Sequence, residues 1–215
     1  MRITEIYASV HGESQYAGLP CTLVRTTGCD LRCSYCDTTY AFTGGKEMTI
    51  EEIVMEVDRL GLPFVLLTGG EPMLQREIVP LATRLLGHPY RVAMETSGAH
   101  ALDALPTEVL RIVDVKTPSS GEAERMRWEI LASLRGCDAA KFVLSDEADY
   151  RWSTDHVRRL GLASHTMRCD VAQESFVGAH RAQAQEGLGA THAPAVDAIE
   201  RRAEKVRGQG MKGGL

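Results

Sequence analysis

Apolar and polar positions alternate along the first two thirds of the chain in two rhythms, one of strands and one of helices. Ile3, Ile6, Tyr7 and Val10 lie in a short strand-like segment, and residues 22–26 form a second. Thr49, with Glu52 three residues on, makes a capping box ahead of Ile50, Ile53, Val54, Val57 and Leu60 at helical spacing, and Gly61 supplies the stop. Phe64-Val65-Leu66-Leu67 is a continuous apolar run, as a strand buried on both faces of a parallel sheet requires. A helix through Ile78, Leu81, Ala82 and Leu85 then leads to a strand at 91–95, and 109–115 gives another. A helix around Trp128, Ile130, Leu131 and Leu134 precedes a strand at 140–144, and Val157 and Leu160 sit on one more helix.

Five or six βα units in this order predict an α/β fold with a parallel sheet. The chain has 215 residues, short of the roughly 250 of a full eightfold barrel, so the expected form is an open, partial barrel. Residues 1–165 form this core domain. The segment 166–215, rich in Ala, Gly, Gln and Arg, shows no buried-strand run and reads as an atypical, weakly ordered tail, with one helical stretch at 193–205. The sheet is therefore expected to lose its next strand and expose an edge after Leu144.

A net charge of −5 disfavours a nucleic-acid surface, which needs an excess of Lys and Arg. No stretch approaches the roughly 18 apolar residues of a membrane span, and Glu5, His11 and Glu13 interrupt any apolar leader, so a cytoplasmic location is expected. There thiols stay reduced, and the six cysteines (Cys21, Cys29, Cys33, Cys36, Cys137 and Cys169) read as metal ligands or buried small residues.

Cys29-Asp30-Leu31-Arg32-Cys33-Ser34-Tyr35-Cys36 places three thiols in one strand-to-helix loop. Soft thiolates so spaced can hold three irons of a four-iron four-sulfur cluster and leave the fourth open. A structural zinc site is the alternative; it wants four ligands, and Cys21, beside an apolar strand, is the nearest candidate for the fourth. Thr68-Gly69-Gly70-Glu71-Pro72, Glu95-Thr96-Ser97-Gly98 and Lys116-Thr117 all fall at strand carboxyl ends, where parallel α/β folds bind ligands.

The cysteine spacing followed by Thr-Gly-Gly-Glu-Pro resembles the radical S-adenosylmethionine (SAM) superfamily. More narrowly, residues 5–14, Arg25, residues 28–38, the two turns at 68–72 and 95–98, and Val113-Asp114-Val115-Lys116 are similar to the 7-carboxy-7-deazaguanine synthase family. That resemblance implies a homodimeric lyase of queuosine and deazapurine biosynthesis that contracts the ring of 6-carboxy-5,6,7,8-tetrahydropterin with loss of ammonia. The cofactors implied are the 4Fe-4S cluster, SAM and Mg2+, with an external one-electron donor such as flavodoxin or ferredoxin. Substrate contacts are implied from Val10, His11, Gly12, Arg25 and Thr68. SAM contacts are implied from Tyr35, Cys36, Asp37, Gly70, Asp114, Val115 and Lys116. Cys29, Cys33 and Cys36 would hold the cluster and Thr38 the Mg2+. Glu95 is a candidate for proton transfer. His11 stands where the family commonly has Gln, and the family's terminal Gln-x-His-Lys segment has no counterpart in 166–215. A glycyl-radical activating enzyme and a non-catalytic metal-binding module are the competing readings.

Overall fold

The computed structural model describes residues 1–162 and the strand Met167–Val171. The chain opens with an antiparallel hairpin, β1 (Arg2–Val10) and β2 (Pro20–Thr26), followed by the two-residue strand β3 (Lys46–Glu47). Helices α1 (Ile50–Leu60), α2 (Ile78–Leu86), α3 (Trp128–Ala132) and α4 (Glu147–Leu160) then intervene among β4 (Phe64–Gly69), β5 (Arg91–Thr96), β6 (Leu110–Val115), β7 (Ala139–Leu144) and β8 (Met167–Val171). The eight strands form one open sheet in the order β3-β1-β2-β4-β5-β6-β7-β8, parallel from β2 onward.

Local signals account for the elements. The Thr49 hydroxyl accepts from the Glu52 amide while Glu52 reaches back to the Thr49 amide, and Gly61 ends α1 at φ 66°. Two corrections to the sequence reading stand out. The link from β5 to β6 carries no α-helix, so the described residues hold four helical crossovers. Beyond residue 165, β8 pairs in parallel with β7, Leu144 facing Val171, so the expected edge after Leu144 is covered. The signal is a five-residue alternation, Met167, Cys169 and Val171 against Arg168 and Asp170, too brief to stand out from a polar background. The weakly ordered tail and its helical stretch otherwise lie outside the described residues.

The sheet's two faces differ. One carries Val24, Val65, Leu67, Val92, Met94, Val113, Val115, Phe142 and Leu144, packed without interruption against the helices. The other starts apolar with Cys21, Leu23, Phe64, Leu66, Ala93, Ile112 and Ala139. Two residues further along each strand it turns polar, at Arg25, Thr68, Glu95, Asp114 and Lys141. Because side chains alternate with period two, each strand contributes an apolar base and a polar top to the same face. The hairpin loop 11–19 closes the base: Gln15 Nε2 and Tyr16 Oη donate to the Cys137 carbonyl at 2.6 and 3.2 Å.

Candidate active site

The polar top of this face lines a cavity of about 630 Å³ together with the cysteine loop. Cys29, Cys33 and Cys36 are all half-buried on its wall. The loop is fastened on the far side. Asp30 pairs with Arg125 Nη2 at 2.6 Å and His100 Nε2 at 3.1 Å, and the Ser34 amide donates to the Ser120 carbonyl at 3.0 Å. The Arg32 amide donates to Glu122 Oε1 at 2.6 Å, and the Leu31 amide to Cys29 Sγ at 3.4 Å. Burial pushes the Cys29 and Cys33 thiols up, and Lys116 partly opposes this at Cys33.

Among the described residues no three His, Cys, Asp or Glu side chains gather closely enough to ligate one ion. Three thiols spread along a cavity wall suit a cluster, whose ligands sit on separate irons, better than a single Zn2+ at about 2.3 Å from each sulfur. Cys21 is buried in the apolar base among Leu23 and Phe64, away from the loop.

The glycine turn is built by close approach. A Cβ on Gly70 would stand 2.2 Å from the Gly28 carbonyl oxygen, and Gly69 has φ 149° with the Thr26 backbone equally near. Glu71, fully buried, accepts from Thr96 Oγ1 at 2.8 Å, the Ser97 amide at 2.8 Å and Ser97 Oγ at 2.5 Å. It therefore ties the 68–72 turn to the 95–98 turn and fixes two walls of the cavity together.

The floor is a network of charges. Lys141 Nζ lies 3.1 and 2.9 Å from the two Glu13 oxygens, 3.4 Å from Asp114 Oδ2 and 3.5 Å from Glu95 Oε1. Asp114 Oδ2 also meets Lys116 Nζ at 2.9 Å, while its Oδ1 is buried without a hydrogen-bond partner among the described residues. Thr68 Oγ1 donates to Glu95 Oε2 at 2.8 Å. Burial and then the Glu95 charge push Glu13 up to about 8, against Lys141. Burial alone would also raise Glu95, but Lys141, Glu13 and Thr68 bring it down to about 2. Burial acts to lower Lys116 and Lys141; the surrounding carboxylates reverse it and hold both above their ordinary values. At the rim, Arg25 Nε donates to Glu5 Oε1 at 2.6 Å, which orients the guanidinium, and Tyr40 Oη donates to the same oxygen at 2.9 Å.

Of the residues singled out from sequence, Cys29, Cys33, Cys36, Tyr35, Asp37, Thr38, Arg25, Thr68, Gly70, Glu95, Asp114 and Lys116 all line this cavity. Four do not. Val10 is 60 % exposed at the far end of β1, where it pairs with Pro20. His11 is buried under the base, edge-on to Phe64 at 5.3 Å, with Nδ1 accepting from the Glu13 amide. Gly12 links His11 to Glu13 and is not part of the lining. Val115 turns its side chain into the helix-covered core, because it is one residue out of phase with Asp114. Sequence reasoning missed Glu13, Lys141 and Glu71. The period-two register from Asp114 to its neighbour Lys141 would have found the second of these.

A parallel α/β sheet with a three-thiol loop and a glycine turn at its carboxyl ends defines the radical SAM class, and the family model for the "Radical SAM superfamily" matches residues 23–116. Members of that class bind a 4Fe-4S cluster and SAM. A 7-carboxy-7-deazaguanine synthase from Koribacter versatilis is 46% identical over 89% of this chain and 84% of its own length. Another from Chlorobaculum tepidum is 38% identical, covering 75% of each. This chain belongs to the 7-carboxy-7-deazaguanine synthase family. The first alignment covers more of the chain than the 1–165 stretch in which the motifs are legible. Among solved structures, QueE from Escherichia coli superposes with a TM-score of 0.57 at 20% identity, covering 79% of this chain and 93% of that one. No helix among the described residues is long and apolar enough to cross a membrane.

Proposed function

We propose that this enzyme contracts the ring of 6-carboxy-5,6,7,8-tetrahydropterin to 7-carboxy-7-deazaguanine with loss of ammonia. One observation carries the reading: the three cluster thiols and a carboxylate-gripping pair, Arg25 with Thr68, line a single cavity together with Glu95. Its volume lies within the range of small-molecule sites. A cavity of this size with the Arg25 guanidinium at its rim also favours a small anionic substrate over a protein segment, which supports this reading over a glycyl-radical activating enzyme.

Cys29, Cys33 and Cys36 would hold the cluster, and the Gly70 turn, Asp37, Asp114 and Lys116 would hold SAM. When bound, cluster and SAM supply a 5′-deoxyadenosyl radical after one-electron reduction. The chain's own residues do the rest. Arg25 offers a planar fork to the substrate carboxylate while Glu5 fixes its angle. Thr68 and Lys141 keep Glu95 ionised beside the substrate space. The unpartnered Asp114 Oδ1 is an acceptor waiting for a hydroxyl or ammonium donor. Thr38 Oγ1 and Asp37, on the same wall, are hard oxygens of the type Mg2+ takes with substrate oxygens and water. A flavodoxin- or ferredoxin-type electron donor and self-association as a homodimer complete the proposal.

The test is anaerobic reconstitution followed by product analysis with the carboxytetrahydropterin. About one four-iron cluster per chain and formation of the deazapurine are expected; Cys33→Ala should lose both iron and activity. Iron and visible absorbance surviving that substitution would refute the ligand assignment.

A further inference from the structure

Carboxylates from three separate elements meet one ammonium. Lys141 Nζ lies 2.9 and 3.1 Å from the two Glu13 oxygens, 3.4 Å from Asp114 Oδ2 and 3.5 Å from Glu95 Oε1. Glu13 stands in the hairpin loop, Glu95 on β5 and Asp114 on β6; Lys141 itself is on β7, opposite Asp114 in the parallel register. All four line the cavity. An ammonium has three N–H donors, and here each has a carboxylate to meet. None is left over for a substrate, so the work of Lys141 is done through its partners.

Those partners belong to different walls. On one side Glu95 accepts from Thr68 Oγ1 at 2.8 Å, and Thr68 is the register neighbour of Arg25, the proposed carboxylate fork. On the other, Asp114 shares its Oδ2 with Lys116 Nζ at 2.9 Å, within the segment proposed to hold SAM. The sheet alone does not join these walls. Glu95 is paired with Ile112, so Asp114, two residues further along β6, is its diagonal neighbour on the same face. Like charges so placed repel, and each has another donor to turn to, Thr68 for Glu95 and Lys116 for Asp114. The Lys141 ammonium is the group that both carboxylates meet, and Glu13, its nearest partner, anchors it from the loop.

We propose that Lys141 is a positioning residue: by drawing Glu95 and Asp114 to one ammonium it sets the substrate wall against the SAM wall and so fixes how far apart the two bound molecules stand. The proposal rests on the ring-contraction reading. The step it governs moves one hydrogen atom from a substrate carbon to the 5′-carbon, one C–H bond breaking as another forms. Such a transfer depends steeply on placement, and a misfit of about 1 Å can cost about 10²-fold in rate. With the walls unlinked, each molecule still binds its own contacts, and the radical, formed out of register with the substrate hydrogen, is lost as free 5′-deoxyadenosine.

Lys141→Met, Lys141→Arg and the double variant Lys141→Met with Glu13→Gln test this. The double variant removes one charge of each sign, so the site keeps its net charge and loses only the shared ammonium. Crystals of the cluster-free Lys141→Met protein should show Glu95 withdrawn toward Thr68 and Asp114 toward Lys116. In the reconstituted enzyme Lys141→Met should lower kcat by about 10²-fold and raise the 5′-deoxyadenosine released per product by about tenfold, with iron content unaltered. The substrate Kd, measured by calorimetry on the oxidised cluster where no turnover occurs, should change far less than kcat. The double variant should behave as Lys141→Met does, and Lys141→Arg should recover most of the coupling, since a guanidinium also carries enough donors for three carboxylates. Carboxylates unmoved in the crystal, wild-type coupling in Lys141→Met, or a Kd that rises as much as kcat falls overturns the proposal. Coupling restored by the double variant does so too, because Lys141 would then only balance charge. If Lys141→Met does not fold, the charge-balanced double variant decides. A wild-type chain that forms no contracted product at all overturns the functional reading, and the proposal with it.

Discussion

Two buried charge clusters share β6 and β7, about 10 Å apart along the strands, and they are built on opposite terms. At the base, Asp138, with its side chain wholly buried, accepts from both guanidinium groups and both backbone amides of Arg111 and Arg135, all between 2.7 and 3.0 Å. Every lone pair is used, and Asp138 is held well below the usual carboxylate range despite its burial. At the top, Lys141 serves three carboxylates, one Asp114 oxygen has no partner, and the acids outnumber the bases. The lower cluster is complete and fastens the start of one strand to the next. The upper one is left incomplete where a ligand would enter, and incompleteness of this kind marks a working site.

The largest effect that separates them is on stability. Asp138→Ala strands two half-buried guanidinium groups and two amides, and should cost about 3–5 kcal/mol in urea unfolding, while turnover per folded molecule stays unchanged. Glu13→Gln removes one acid from a cluster in which acids outnumber bases and should cost little at pH 8. Equal losses from the two substitutions would erase the distinction.

The pH dependence sharpens it. An acid depressed in the fold stabilises above its unfolded value, about 3.9 for Asp, and loses that contribution as pH falls toward the folded value. Asp138, like Glu95, thus contributes to the acid limb. The Glu13–Glu95 pair keeps one proton in the fold between about 2 and about 8. The unfolded chain gives up both near about 4.3. Through that interval above 4.3 the unfolded state binds fewer protons, so stability falls as pH rises toward 8. Unfolding midpoints from pH 3 to 9 should show Asp138→Ala flattening the acid limb and Glu13→Gln the alkaline one. Both variants altering the same limb would break the comparison.

These clusters also mark what a sequence lets one read. The helices and central strands were legible because capping at Thr49, the apolar run at Phe64 and the period-two strands are local signals. The cysteine loop and glycine turn were legible as motifs. Lys141 was not, for it looks like any strand lysine until its partners arrive from a loop 128 residues away. Glu71 reads as a motif letter and proves to be a buried fastener. Val10, His11 and Gly12 lie off the cavity lining for a related reason: of that segment Glu13, the next residue, climbs from the base to the top. The five residues of β8 are recruited by the free edge of β7, a tertiary cause that leaves little trace in composition.

A smaller effect is expected at the rim. Arg25 already gives Nε to Glu5, so its fork must serve two carboxylates at once. A lysine ammonium keeps the charge and cannot divide itself in that way. Arg25→Lys should raise KM roughly tenfold, the loss of a charge-assisted hydrogen bond, with a lesser change in kcat. An unchanged KM and turnover would remove Arg25 from the substrate site and leave the upper cluster as its whole recognition surface.

The smallest effect tests where the cavity's two walls meet. Thr38 lies two residues past Cys36, and its hydroxyl donates to Asp37 Oδ1 at 2.6 Å on an exposed part of the loop. Nothing in the core depends on that bond, so Thr38→Ala should leave unfolding midpoints and iron content as they were. On the proposed assignment the hydroxyl would be one of about six oxygens around Mg2+, and losing it should raise the Mg2+ concentration for half-maximal activity several-fold, with Thr38→Ser restoring it. Asp114 and Lys141 are untouched by this change, so the pH profile of kcat should also be unmoved. Mg2+ activation identical to wild type would place the ion elsewhere on the wall. A shifted pH profile would show instead that Thr38 reports to the charge cluster, and that the two walls act as one.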